Sequence, residues 1–162
     1  MLEPVSAAHC VDAIPEVAFK KLLRSSVRED TATCPLRPQA DSVKTARDVT
    51  RSTLRQWGLA ELGDDAALVV SELVTNAVRY SRCTPGFYTG HAPITLMLLR
   101  LRPHVLLAVA DPSDEAPTPK EPDFISENGR GLYIVETYSR CWGWDALDEG
   151  GKAVWALFHS GA

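Results

Sequence analysis

Apolar residues recur along the chain with two different periods. From Val43 the period is helical, with Val43, Ala46, Val49, Thr50, Leu54 and Trp57 at helical spacing. Asp41 or Ser42 stands where an N-cap belongs, and Gly58 where a C-cap glycine belongs. A second helix opens at Asp64 or Asp65 and runs to about Ser81. Its Ala66, Val69, Val70, Leu73, Val74 and Ala77 share one face. Leu132, Ile134, Val135 and Tyr138 predict a third helix behind a glycine turn.

The other apolar runs are short and rich in Leu, Val and Ile. Ile94–Leu101 and Val105–Ala110, divided by Arg102-Pro103-His104, predict a β-hairpin buried on at least one face. Thr31 to Arg37 reads as a first strand stopped by Pro38. Trp142 to Leu147 and Lys152 to His159 read as strands joined by an Asp148-Glu149-Gly150-Gly151 turn. The order is strand, helix, helix, strand, strand, helix, strand, strand. It predicts an α/β (α+β) two-layer sandwich, with a mixed, mostly antiparallel sheet and helices on one face. It is not a Rossmann alternation.

Arg82 to Pro93 is a loop by its prolines and glycines, and Pro112 to Asn128 holds four prolines and many acids. Residues 1–30 are expected to form a flexible N-terminal tail, with some helical periodicity over Val17 to Leu23. A docking arm for a partner is the sharper alternative. One folded domain then spans 31–162.

Composition narrows the function. Of 162 residues, 45% are hydrophobic, enough for a real core, and the net charge is −4. An acidic balance without a basic block argues against a nucleic-acid partner. The longest apolar run, Ile94–Leu101, is too short to span a bilayer, and no secretory signal is seen at the N-terminus. Cys10, Cys34, Cys83 and Cys141 form no C-x-x-C pair and are expected to be free thiols in a reducing cytoplasm.

Three stretches carry candidate chemistry. Glu72 and Asn76 stack one helical turn apart at the edge of the apolar face, where they can hold a cation or polarise a water. Two merely solvated side chains are the bland alternative. Asp111 ends a buried-looking strand, where a carboxylate can accept a hydrogen bond from an exocyclic amine or simply start a turn. Asn128-Gly129-Arg130-Gly131-Leu132 precedes a helix. Its glycines allow backbone amides close to a phosphate, the helix start is positive, and Arg130 can add a charged contact. It is not a Walker loop.

Taken in order, S-E-L-V-T-N-A-V-R-Y-S, D-P-S-D, G-R-G-L-Y-I-V and G-K-A-V-W-A-L-F resemble the GHKL nucleotide-binding domain of gyrase, histidine kinases and MutL. Within it, the chain resembles the small bacterial anti-sigma-factor serine kinases and the stand-alone ATP-binding regulators similar to them. The resemblance runs from about Thr31 to His159. It implies a Bergerat-type fold that binds ATP with Mg²⁺. Asn76 matches the residue that binds Mg²⁺ bridging the phosphates, and Glu72 the general base. Asp111 matches the aspartate that receives the adenine amine. Gly129, Arg130, Gly131 and Leu132 match the phosphate loop, and Gly151 and Lys152 the start of the last motif.

Three features depart from the pattern. Ser113 stands at the first glycine position of D-x-G-x-G, Ala153 replaces a threonine, and the chain from Asp111 to Gly129 is short for an ATP lid. The resemblance further implies a serine or threonine on an antagonist protein as acceptor, a sigma factor as second partner, and homodimerisation. An ATP-sensing module that captures a partner without phosphotransfer is the alternative. A histidine-kinase-like catalytic fragment is the third reading.

Overall fold

The computed structural model describes residues 30–82, 94–113, 131–147 and 150–160. Of the tail expected over residues 1–30, residues 1–29 lie outside them, as do Gly129 and Arg130.

Five strands form one sheet: β1 (Thr31–Leu36), β2 (Ile94–Leu101), β3 (His104–Asp111), β4 (Cys141–Ala146) and β5 (Lys152–His159). Their spatial order is β1-β2-β3-β5-β4, and every described pairing is antiparallel. The last strand in sequence therefore fills the place between β3 and β4. The helices are α1 (Ser42–Gln56), α2 (Gly63–Arg82) and α3 (Gly131–Tyr138), with a short 3-10 turn at Ala60–Leu62 leading into α2.

Strand alternation divides the core between the two faces of the sheet. Leu96, Leu98, Leu107, Val109, Val154, Ala156 and Phe158 share a buried cluster with Leu54 of α1, Val70, Leu73, Val74 and Ala77 of α2, and Val135 of α3. Leu99, Leu106, Ala108, Cys141, Ala153 and Leu157 form a second cluster of alternate phase, with no helical residue in it. The helices thus lie on one face, as the order of elements predicts. Burial of apolar area on both faces makes the central strands nearly continuous in hydrophobicity.

The ends of α1 follow local chemistry. The Asp41 side chain makes no capping bond, whereas the Ser42 hydroxyl donates 2.5 Å to the Arg37 carbonyl. Gly58 adopts a φ of +73° just beyond the helix, the left-handed conformation that a glycine ends a helix with.

The expectation of four free thiols fails at Cys141, while Cys10 and Cys83 lie outside the described residues. Cys34 is a free thiol, but Cys141 carries a disulfide. Spacing along the chain says nothing of pairing between distant cysteines. The expectation of a reducing compartment loses the support that rested on it.

Candidate functional site

β3 and β5 pair so that Asp111 stands opposite Lys152. Both side chains are in phase with Val109 and Val154 and point to the helix-covered face. Their side chains are only 2% and 1% exposed. A lysine on an inward strand position needs a carboxylate partner, because burying a lone ammonium is costly. Lys152 Nζ accordingly donates 3.0 Å to Asp111 Oδ1. The Ser113 backbone N–H donates 2.8 Å to the same oxygen. Two donors thus hold one oxygen of the carboxylate at a fixed place.

Removal from water pushes the Asp111 carboxyl up from its ordinary value of 3.8. The Lys152 charge, its hydrogen bond and the Ser113 N–H pull it back down, in that order of importance. Burial is the larger effect. The ion pair is therefore a constrained and poorly hydrated group rather than a surface contact.

Ser113 contributes its backbone N–H, a donor that a glycine at this position would equally supply. It is itself buried. Gly151 precedes Lys152 with a φ of +84° and lies against the Asp111 backbone. The close approach of the two chains at this end of the sheet requires its missing side chain.

Glu72 and Asn76 lie half-buried on α2, next to the buried Leu73, Val74 and Ala77. This is the helix edge that their spacing predicts. α2 packs against β3. Leu62 and Ala66, at its start, meet Leu98, Val105 and Phe158 at the end of the sheet remote from Asp111. The later turns, with Glu72 and Asn76, run on toward the other end. Burial pushes the Glu72 carboxyl up from its ordinary 4.5, and the Arg79 charge offsets part of this. A carboxyl raised by burial is a better proton acceptor when ionised.

α3 begins at Gly131, with Leu132 buried in its first turn. It packs against α2. The described part of the glycine segment thus opens a helix, as the sequence predicts, beside the helix that carries Glu72 and Asn76.

Among the described residues no three His, Cys, Asp or Glu side chains stand together to hold a metal. This donor set fits Mg²⁺ only as an ion held largely by phosphate oxygens and water, with Asn76 as a protein ligand. The set brought into direct contact is Asp111, Ser113, Gly151 and Lys152. Sequence reasoning missed the ion pair, although Lys152 keeps the inward phase of Val154, Ala156 and Phe158. Arg79, the charge beside Glu72, was also missed. It lies seven residues on, two helical turns along the same face.

A family model described as the histidine kinase-like ATPase domain matches residues 36–158. A solved structure of the RsbU and RsbW domains of Rv1364c from Mycobacterium tuberculosis is similar, with a TM-score of 0.58 at 18% identity. The match covers 80% of this chain and 32% of that one, so the chain spans about a third of that protein. At this identity the likeness speaks for the fold. No curated protein matches the chain. No described helix is long and apolar enough to cross a membrane.

Proposed function

The chain belongs to the histidine kinase-like ATPase domain family, and from that premise we propose that it is an Mg-ATP-dependent regulator that phosphorylates a serine or threonine of a partner protein. The observation that carries this reading is Asp111. It is a buried carboxylate fixed by Lys152 and Ser113 at a strand end of a family fold that takes ATP. A rigid acceptor of this kind suits an exocyclic amine.

In this reading Asp111 accepts the adenine amine and orients the base. The start of α3 at Gly131 and Leu132, with Gly129 and Arg130 before it, binds the phosphates. Asn76 would hold Mg²⁺, which supplies neutralisation of phosphate charge when bound. Glu72 accepts the proton of the attacking hydroxyl. Its half-buried place gives it a raised affinity for that proton. Phosphoryl transfer needs little more than positioning, charge neutralisation and one proton acceptor.

The similarity to a structure containing RsbU and RsbW domains supports a partner-switching role, with an antagonist protein as acceptor and a sigma factor as second partner. A cytoplasmic location and a homodimer belong to the same proposal.

The test compares wild type with Glu72→Gln for ATP affinity, phosphotransfer and partner capture. The expected result is near-normal ATP affinity and transfer slowed by about 10²-fold, the low end of general-base contributions. A wild-type protein that captures an antagonist with ATP but never phosphorylates it would make the chain a sensor instead. Asn76→Ala is expected to lose Mg-dependent ATP binding with an unchanged unfolding midpoint, and retained affinity removes Asn76 from the metal site.

A further inference from the structure

The sheet face away from the helices is covered. Leu99, Leu106 and Leu157 form a row across β2, β3 and β5, each opposite the next. They are 3%, 1% and 1% exposed. A sheet face bare to water leaves such side chains exposed. Yet every buried member of their cluster is a strand residue, and no described helix contributes to it. The cover therefore comes from chain outside the described residues.

Cys141 tells which part. It belongs to the same cluster, stands opposite Leu157 on the edge strand β4, and carries a disulfide. Cys34 is a free thiol, which leaves Cys10 and Cys83 as partners. A disulfide needs its two Cα atoms within about 7 Å of each other. Cys83 directly follows Arg82, the last residue of α2, whose later turns run on the other face toward the Asp111 end. Through Lys152 that end is level with Ala146, about 17 Å along β4 from Cys141. Cys10 remains.

The register supplies the path. The row Leu157, Leu106, Leu99 ends on Thr31, which pairs with Leu99 on the opposite edge strand, β1. From Thr31 to Cys141 the row crosses four strand spacings, about 19 Å. The roughly twenty residues between Cys10 and Thr31 cover about 30 Å as a helix and more when extended, so they reach. Among them Phe19, Leu22 and Leu23 stand at i, i+3 and i+4, with Val17 ahead of them. We propose that residues 10–29 form a strap across the second face of the sheet, fastened by a disulfide between Cys10 and Cys141. Phe19, Leu22 and Leu23 rest on the row of Leu99, Leu106 and Leu157. The strap makes the sheet the middle of three layers, which suits strands that are hydrophobic on both faces. Reduction opens the fastening and leaves the apolar contact in place. None of this depends on nucleotide binding.

The experiment takes the full chain through mixtures of reduced glutathione and glutathione disulfide. The disulfide accepts two electrons from the two cysteine thiols, and their two protons go to the two glutathione molecules released. Peptide mapping of the oxidised protein by mass spectrometry, without reductant, is expected to find the Cys10 peptide joined to the Cys141 peptide. A link between Cys83 and Cys141, or a Cys141 thiol that can still be alkylated, overturns the proposal.

Docking is read from the glutathione ratio at which the bond is half formed. Phe19→Asp with Leu22→Asp sets carboxylates against the apolar row. The pair of substitutions should lower the effective concentration of the two thiols by about tenfold or more. A variant that forms the bond as readily as wild type makes the segment a loose tether and overturns the strap. The substitutions lie outside the sheet and the described helices. The mapping of wild type needs no variant, so it decides the pairing in any case.

Discussion

Gly151 runs so close to Asp111 that any side chain on it would collide with the Asp111 carbonyl, with the Pro112 Cα about as near as atoms come. Its φ of +84° is a second obstacle to any other residue. Neighbouring Gly150 has a φ of +97° but open space around it. The two glycines separate conformational strain from collision. Gly150→Ala is expected to cost about 1–2 kcal/mol of stability, and Gly151→Ala about 3 kcal/mol or more. Urea unfolding of both variants checks the ranking. Equal losses would mean that the close approach is relieved by a small shift.

Asp111 and Lys152 should behave as a unit in stability. Removing either charge alone leaves the other buried without its partner, a change that costs about 3–5 kcal/mol. Replacing both with apolar side chains of similar size, Asp111→Leu with Lys152→Met, should recover most of that loss. A double-mutant cycle by denaturant unfolding gives the coupling. Additive losses would show that each side chain is held by other contacts.

Glu72 predicts a pH dependence of definite sign. Burial raises its pKa, so the folded protein holds the proton to higher pH than the unfolded chain does. Stability therefore falls as pH rises from the ordinary 4.5 through the raised value, and the full loss persists above it. Glu72→Gln removes that loss. The variant should melt above wild type at neutral pH and converge with it below 4.5, where Glu72 is protonated in both states. Melting curves across this window decide it, and a constant offset would point to packing rather than charge.

Arg51 and Asp64 provide the opposite case. Their contact of 3.4 Å joins α1 to α2, but the side chains are 49% and 97% exposed. Solvent screening and side-chain entropy leave such pairs little net effect. Arg51→Ala should leave the unfolding midpoint unchanged within error, and a clear drop would mark a network around the pair.

Much of the architecture is readable from periodicity. β5 spans Lys152–His159, the bounds that its apolar run predicts, and the hairpin of β2 and β3 matches to a residue or two. α1 and α2 follow their apolar faces, because helical spacing records which side meets the core. The 3-10 turn at Ala60–Leu62 reads only as a connection, since one turn is too short to show a period. The strand order is not legible. Alternation tells which face a side chain takes and nothing about which strand lies alongside, so the insertion of β5 between β3 and β4 escapes it. The candidate site divides in the same way. Glu72 and Asn76 are a local pair, visible from their spacing of four. The Asp111–Lys152 contact spans 41 residues, and sequence offers only the inward phase of a lysine as its sign. The family resemblance marks both residues without joining them.

The placing of β5 has a consequence for how the chain folds. β3 can pair with β2 through a short turn, but its other edge waits for a strand about forty residues later. Closing that distance comes late, since loop entropy must be overcome before the contacts that repay it exist. A chain emerging from the ribosome would hold β3 with one edge bare until β5 arrives, exposing an apolar strand open to wrong partners. The Asp111–Lys152 contact is thus a reporter of completion. It forms only when the centre of the sheet is filled, so an incompletely folded chain lacks the platform on which the base is proposed to rest.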